Sequence, residues 1–165
     1  MEFEIIPRKD RIPPFDSHAI KIRRIEYFDP PYQAYDEEDI TENVIAEVLK
    51  QISGGINLYL FLDPDGEDDW LEVNCDGEWI SLGFLGDFGQ KNYYSYNPAF
   101  ADTADQIDKG DFSDKSIYTD LERGGQSPIP SIQAITEIEM GVKAVEYFIR
   151  TGELYPGIDW MRQCE

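Results

Sequence analysis

The stretch that decides the fold is the C-terminal segment 124–160, which reads GGQSPIPSIQAITEIEMGVKAVEYFIRTGELYPGIDW. Its pattern predicts a short strand, then a helix with a clear beginning and end, then a proline turn that returns a tryptophan to the core. Thr136 and Glu139 have the T-x-x-E spacing of a capping box. Ile135 and Met140 have the spacing of a hydrophobic staple. The helix is therefore expected to begin beside Thr136.

The interior and the end of this helix are equally well marked. Gly152 can adopt the left-handed conformation that ends a helix, and Pro156 prevents the helix from resuming. Trp160 is a large apolar side chain that is expected to be buried near the C-terminus. One apolar face is predicted from residues spaced three and four apart, namely Ile138, Val142, Val145, Phe148 and Ile149.

Several residues of this stretch carry a resemblance to a known family. They are Ile129-Pro130, Lys143–Phe148, Thr151–Glu153, Pro156 and Trp160. Together they resemble the C-terminal signature of the first-numbered class of immunity proteins of bacterial polymorphic toxin systems. That signature is I/V-P, a helix ending A-V-x-x-F-x-x-T-G-x-x-P, and then a short x-x-W. The chain departs from it by one extra residue before Pro156 and by a longer segment before the helix.

The resemblance covers about a quarter of the chain and implies a small soluble antitoxin. Such a protein binds a secreted bacterial toxin and covers its active site, which requires neither catalysis nor a cofactor. The toxins of this family often have a deaminase fold, so the implied partner is a nucleic-acid-directed deaminase. The resemblance implies structural roles, with no catalytic role, for Pro130, Phe148, Gly152, Pro156 and Trp160.

The length and composition of the chain predict one domain across residues 1–165. Of its 165 residues, 41% are apolar and 13% aromatic, which is sufficient for a substantial core. Residues 1–15 are the segment expected to be most loosely ordered. The N-terminus shows no signal peptide, and the longest apolar run, Leu58–Leu62, is too short to span a bilayer. We therefore expect a cytoplasmic protein, a monomer or a weak dimer, that does not bind membranes.

The rest of the chain predicts an α+β fold. Asp39 and Glu42 form a second potential capping box, which predicts a helix from there to about Ile52. A proline-directed loop is expected at 29–35 and a loop with little regular structure at 97–110. Strands are predicted at Ala19–Tyr27, Ile56–Leu62, Trp70–Cys75, Trp79–Leu85, Asn92–Tyr96, Ser116–Glu122 and Ile129–Ala134. The expected architecture is a single antiparallel sheet of about five to six strands, with an N-terminal-half helix and a C-terminal helix packed on it.

The charge of the chain is strongly negative and unevenly distributed. The formal net charge is −20. Residues 1–24 carry six basic and four acidic side chains, whereas residues 51–90 carry nine acidic side chains and no Lys or Arg. Such a surface repels phosphate backbones and anionic lipids, so direct binding of nucleic acids or membranes is disfavoured. It attracts a basic protein instead, although acidity that serves only solubility is the alternative.

No pattern of cysteine or histidine indicates a metal or nucleophilic site. Cys75 and Cys164 are the only cysteines and do not form a C-x-x-C pair. His18 is the only histidine, so a His-based metal site or a Ser-His-Asp triad has too few partners. We expect no cofactor and no metal bound through these residue types.

The segment Asp63-Pro-Asp-Gly-Glu-Asp-Asp has the composition of a calcium loop but not its spacing. An EF-hand loop requires Gly at its sixth position and Glu at its twelfth. Counted from Asp63, Gly66 is fourth and Asn74 is twelfth. We therefore interpret this segment as a hairpin turn with solvated carboxylates, and weak cation binding remains the alternative.

Three functions are consistent with these observations. The first is a binding protein that neutralises a cognate toxin with a basic surface. The second is a small carboxylate-dependent hydrolase, since paired acids are abundant, although they occur in turns without apolar neighbours that would raise a pKa. The third is an acidic adaptor or DNA mimic. The sequence favours the first and predicts that the protein is not an enzyme.

The predicted toxin interface combines the acidic hairpins with a tyrosine-rich strand. Tyrosine is a frequent residue at binding hot spots, but alternation along a strand also directs every second side chain into the core. Interface and core roles are therefore equally expected for the tyrosines. The predicted partner-binding residues are Asp65, Glu67, Asp68, Asp69, Asp76, Glu78, Tyr93, Tyr94 and Tyr96.

Overall fold

The computed structural model describes residues 2–28, 32–109 and 111–164, without the side chain of Asp108. These residues contain two α-helices, α1 (Glu42–Gln51) and α2 (Ile138–Thr151). They also contain ten strands: β1 (Phe3–Ile6), β2 (Arg24–Tyr27), β3 (Ala34–Asp36), β4 (Ile56–Phe61), β5 (Trp70–Cys75), β6 (Ile80–Gly86), β7 (Lys91–Ser95), β8 (Tyr118–Arg123), β9 (Ser127–Pro130) and β10 (Trp160–Gln163). None of the helices in this part of the chain has the length and apolar character needed to cross a membrane.

Eight of the strands form one antiparallel sheet, in the order β1-β10-β7-β6-β5-β4-β2-β3. The remaining two, β8 and β9, form a separate antiparallel pair. The predicted α+β class is confirmed, but the predicted single sheet of five to six strands is wrong. Strands β1, β3 and β10 have only three or four residues, too few to show an alternating pattern. The segments predicted at Ser116–Glu122 and Ile129–Ala134 contribute to the separate pair.

Both helices pack on one face of the large sheet. The rings of Phe148 in α2 and Phe84 in β6 have centroids 6.0 Å apart. A Cβ atom at Gly141 would lie 2.6 Å from the side chain of Ile80, so the glycine permits close approach of α2 to β6. Arg150 of α2, buried at 6% exposure, donates hydrogen bonds of 2.7 and 2.8 Å to the Glu42 carboxylate of α1. This ion pair joins the two helices.

The ends of the helices differ in part from the prediction. Helix α1 begins at Glu42, and its N-cap is Thr41, whose hydroxyl accepts a hydrogen bond of 3.2 Å from Val44 N. Asp39 instead belongs to a short 3-10 turn. The N-cap of α2 is Glu137, without a side-chain capping bond, so the predicted capping box at Thr136 is also wrong. The N-cap thus falls two residues later than predicted in α1 and one residue later in α2.

The C-terminal end of α2 and the following turn agree with the sequence prediction. Gly152 adopts φ +73° and donates its N–H to Phe148 O at 2.8 Å. Trp160 is 3% exposed, and its Nε1 donates to Tyr155 O at 2.8 Å. Pro156 O accepts a hydrogen bond of 2.8 Å from Lys9 N. The turn therefore holds the N-terminal segment as well as the buried tryptophan.

The second face of the large sheet carries β8, β9 and a run of 3-10 turns at Pro98–Lys109. This run was predicted as a loop with little regular structure. Pro130 is buried at the end of β9, where it pairs with Tyr118. Within the N-terminal segment expected to be loose, β1 pairs with β10. Of the predicted proline loop, residues 29–31 lie outside the described residues.

Candidate protein-interaction site

The acidic loop, residues 63–69, joins β4 to β5 and is organised by one carboxylate. Asp63 accepts hydrogen bonds from the backbone N–H groups of Asp65 at 3.0 Å, Glu67 at 3.2 Å and Asp68 at 3.1 Å. These backbone donors hold the pKa of Asp63 below its ordinary value. The acidic loop is therefore a fixed turn, with the side chains of Asp65 and Glu67 exposed on its outside.

The Phe88 turn, residues 86–90, joins β6 to β7 beside the acidic loop. Asp87 and Phe88 both adopt φ +52°, and Gly89 adopts φ +86°. Left-handed conformations are uncommon for residues other than glycine and are outliers for a bulky side chain such as phenylalanine. The ring of Phe88 is 87% exposed, the largest value among the exposed large apolar side chains of the described residues. The turn thus presents an apolar ring to solvent from a strained backbone.

Two carboxylates of the acidic loop hold the Phe88 turn in this conformation. Phe88 N donates to both Oδ atoms of Asp68, at 3.1 and 3.2 Å, and Asp87 N donates to Asp69 Oδ1 at 3.1 Å. Asp68 is only 8% exposed. A Cβ atom at Gly86 would lie 2.6 Å from Asp69 Oδ1, so only glycine permits this contact. The two segments form one surface, the acidic platform (residues 63–69 and 86–90).

The acidic platform contains six carboxylates and no basic residue of its own. Arg24 lies beside Gly66 of the platform and is paired with two carboxylates of β2 and β3. Two further basic residues, together with platform residues, line an open cavity of about 600 Å³. One of them, Arg23, forms an ion pair with Glu37, with Nε and Oε2 2.8 Å apart. The other, Lys91, is exposed at the start of β7. The platform therefore keeps a strong excess of negative charge at one end of the sheet.

Not all of the sequence-predicted interface residues belong to this surface. Asp65, Glu67, Asp68 and Asp69 do. Asp76 and Glu78 are exposed in the turn between β5 and β6, where Asp76 Oδ1 accepts hydrogen bonds from Glu78 N and Trp79 N. That turn lies at the opposite end of β5, about 20 Å away at the usual rise per strand residue. The acidic hairpins are thus two separate surfaces.

The three tyrosines of the predicted interface point to different environments. Tyr93 packs against the core on the helix side of the sheet. Tyr94 lies on the second face, where the Arg123 guanidinium is 4.5 Å from its ring centroid. Tyr96 is buried, with its ring centroid 6.3 Å from that of Phe3. The structure places all three in packing contacts and does not bring them to the acidic platform.

A buried polar cluster on the second face was not recognised in the sequence. Glu72, in β5, accepts hydrogen bonds of 2.7 Å from Asn74 Nδ2 and 3.0 Å from Gly124 N. Arg123 Nη2 donates to Gln133 Oε1 at 2.8 Å. Within the described residues, Asn74 Oδ1 and Arg123 Nη1 are buried without a hydrogen-bond partner. The contacts of Glu72 fix the tip of the β8–β9 hairpin against the large sheet.

Asp87 and Phe88 are the platform residues that sequence reasoning missed. A signal was present, because successive turns of an antiparallel meander alternate between the two ends of the sheet. The turns at 63–69 and 86–90 are therefore neighbours, and the turn at 76–79 lies apart from them. An apolar residue inside the turn Gly86-Asp87-Phe88-Gly89 was the second signal, since such turns are usually polar.

One group of carboxylates in the described residues has the spacing of a cation site. Asp36, Glu38 and Asp39 each place an oxygen within 4.8 Å of the others. All three are exposed, and Asp36 also accepts a hydrogen bond of 2.6 Å from Arg24. Exposed acidic groups of this kind are common without an ion, and nothing else at this position indicates a metal.

Comparisons with protein-family models, with curated proteins and with solved structures found no match for this chain. The C-terminal resemblance therefore remains a resemblance of motif. Most of its residues lie in the core or in the turn that follows α2, where a Cβ atom at Gly152 would lie 3.4 Å from the side chain of Leu62, the residue before the acidic loop. A functional interpretation depends on the geometry and charge of the surface itself.

Proposed function

We propose that this protein is an immunity protein that binds a cognate secreted bacterial toxin through the acidic platform and covers the active site of the toxin. The observation that carries the proposal is the joining of two acidic turns into one surface by the carboxylates of Asp68 and Asp69. The implied toxin acts on nucleic acids, and such a protein needs a basic surface of its own. Binding to that surface requires no catalysis by the immunity protein.

The charge of the acidic platform favours rapid association with a basic partner. Complementary charge steers diffusional encounter and raises association rates above those of neutral surfaces. Because Asp65, Glu67 and Asp87 are exposed, their charges act on the encounter more than on the stability of the fold. Slow dissociation then depends on the contacts that form after the encounter.

The rigidity of the acidic platform supports a binding role as well. Ordering a flexible loop during association opposes binding, so a surface that is already fixed retains more of its interaction free energy. The backbone N–H groups of Asp65, Glu67 and Asp68 are fixed by Asp63, and that of Phe88 is fixed by Asp68. The platform is therefore organised before any partner arrives.

The resemblance at the C-terminus supports the class of function rather than the interface. Phe148, Gly152 and Trp160 have folding roles in the structure, which is consistent with a signature that labels a fold. Immunity families are shared among toxins of different chemistry, and a nucleic-acid-directed deaminase is the toxin that this resemblance implies. We expect no turnover of nucleotides, nucleic acids or glycosides by the purified protein.

The proposal predicts a toxin reading frame immediately upstream of this gene, and the protein that it encodes is the partner to test. Absence of such a reading frame would count against the proposal. Co-expression of the immunity protein should restore growth to cells that produce this toxin, and the purified pair should form a stable complex. Failure of both growth rescue and complex formation would contradict the proposal.

A matched pair of variants then tests the interface. The double variant Asp65→Asn, Glu67→Gln and the double variant Asp76→Asn, Glu78→Gln each remove two exposed carboxylates, at opposite ends of the sheet. Stopped-flow association at low salt should slow several-fold for the first variant and change little for the second. The difference should shrink as salt rises from about 0.05 to 0.5 M, because the Debye length falls to a few Å. Equal on-rates for both variants would place the interface elsewhere.

A further inference from the structure

Within the part of the chain that the structure describes, Phe88 belongs to none of the apolar clusters that form the core. Its ring is 87% exposed, and its backbone adopts φ +52°, a conformation that disfavours bulky side chains. The hydrogen bonds that hold the turn use the backbone N–H groups of Asp87 and Phe88, and not the ring. Glycine or asparagine would adopt the same backbone with less strain. Folding therefore does not require phenylalanine at this position.

We propose that Phe88 is the anchor residue of the interface and enters an apolar pocket on the partner protein. The carboxylates around it, Asp63, Asp65, Glu67 and Asp87, then face Lys and Arg side chains at the rim of that pocket. Aromatic anchors in desolvated pockets, surrounded by polar contacts that exclude water, carry most of the affinity in many interfaces. The inference deepens the proposed function and rests on it for the identity of the partner.

Charge selects a basic protein as the occupant of this surface. A second copy of the chain also has a net charge of −20 and would bring six platform carboxylates against another acidic surface. Anionic lipid surfaces and phosphate backbones are disfavoured for the same reason. The protruding Phe88 side chain requires a concave site on the partner. The carboxylates that surround Phe88 require basic groups around that site.

The first experiment replaces the anchor without removing charge. Phe88→Asn and Phe88→Gly retain every carboxylate of the acidic platform and suit the left-handed conformation. Both should keep or raise the thermal midpoint of unfolding, and both should weaken binding to the upstream-encoded toxin by about 30-fold or more. The control is Phe112→Asn, at a side chain that is 53% exposed on the layer of β8 and β9. This control should leave affinity unchanged.

The second experiment identifies the partner of Phe88 independently of the toxin. A photoreactive benzoylphenylalanine is placed at position 88, or at position 112 as the control, in cells that produce the protein. We expect a covalent adduct with one basic protein from position 88 only. The yield of adduct should fall several-fold when Asp65→Asn and Glu67→Gln are added, because association slows. The captured protein, once purified, should bind Phe88→Asn about 30-fold more weakly than wild type.

The outcomes separate the inference from the proposed function. A complex with the toxin that Phe88→Asn does not weaken overturns the anchor role and leaves the immunity function standing. A specific adduct with a basic protein other than a toxin, which also binds Phe88→Asn about 30-fold more weakly than wild type, supports the anchor role and contradicts the immunity function. Equal binding of wild type and Phe88→Asn by that protein overturns the anchor role. No adduct at position 88 above that at position 112 overturns the inference, whether or not the toxin binds.

Discussion

The acidic platform and the C-terminal segment from α2 to β10 differ in which residues occupy left-handed backbone positions and in whether their aromatic rings are buried. In the C-terminal segment, glycine occupies the left-handed position at 152, and the one polar atom of the buried Trp160 ring donates a hydrogen bond. In the acidic platform, Asp87 and Phe88 occupy left-handed positions, and an aromatic ring is left in solvent. Like charges are also concentrated there rather than dispersed.

The difference indicates which region follows the ordinary rules of folding and which region departs from them. Local preference, packing and hydrogen bonding all agree in the C-terminal segment, as expected for a structural element. They conflict in the acidic platform, and dedicated hydrogen bonds from Asp68 and Asp69 are needed to hold it. Strain that is held in place by its surroundings is characteristic of binding and catalytic sites. The platform is therefore the region in which to seek function.

The largest expected effect separates the two regions by stability. Trp160→Ala should lower the free energy of unfolding by about 3–5 kcal/mol, because it removes a buried ring and leaves a cavity. Phe88→Ala removes a comparable ring from the platform and should change stability by less than about 1 kcal/mol, since the ring is already in solvent. Urea unfolding of both variants measures the contrast. Similar losses in the two variants would show that the Phe88 ring contributes to folding as the Trp160 ring does.

An intermediate effect is expected where the platform depends on its own hydrogen bonds. Asp68→Ala leaves the backbone N–H of Phe88 without its acceptor and should cost about 1–3 kcal/mol. The same variant should raise hydrogen exchange at the Phe88 amide and weaken partner binding, because the turn is no longer fixed. Asp65→Ala is the control for stability and for exchange, since that carboxylate is exposed. Unchanged exchange at Phe88 would show that Asp68 does not hold the turn.

A smaller effect compares the two helix beginnings. Thr41→Ala removes the hydroxyl that caps α1 and should cost about 1 kcal/mol. Thr136→Ala should be nearly neutral, because the N-cap of α2 is Glu137 and no side chain caps that helix. Both values come from denaturant unfolding of the single variants. If Thr136→Ala is the more costly change, the capping box read from the sequence operates after all.

The smallest effect concerns the pH dependence of the acidic loop. The pKa of Asp63 is lowered by its backbone donors, so its contribution to stability is complete above the ordinary aspartate pKa of about 4. That contribution is lost as pH falls through the lowered pKa of the folded state. Wild type should therefore lose stability on acidification below about pH 4 more steeply than Asp63→Asn. Parallel curves for the two proteins would contradict this role of Asp63.

Several parts of the fold that local signals specify were predicted correctly from the sequence, whereas both predicted capping boxes were wrong. The amphipathic face of α2, the left-handed Gly152 and the burial of Trp160 depend on residues within a few positions of one another. The pairing of β1 with β10 depends on two short strands from opposite ends of the chain, and neither is long enough to show a period. The periodicity of the sequence therefore could not predict that the sheet has eight strands.

The candidate site was predicted only in part for a related reason. Asp65 and Glu67 were identified because acidic residues cluster in the sequence. Their association with the Phe88 turn depends on hydrogen bonds between residues about twenty positions apart, which composition does not reveal. Asp76 and Glu78 were grouped with them by charge, although strand direction places them at the other end of the sheet.

Hydrogen exchange of the protein with and without its toxin tests the central claim most directly. Complex formation should slow exchange at backbone amides of residues 63–69 and 86–90. Exchange in the turn at 76–79 should be unchanged, which provides an internal control within the same sample. Protection at 76–79 together with unchanged exchange at 63–69 and 86–90 would contradict the assignment of the acidic platform as the partner-binding surface.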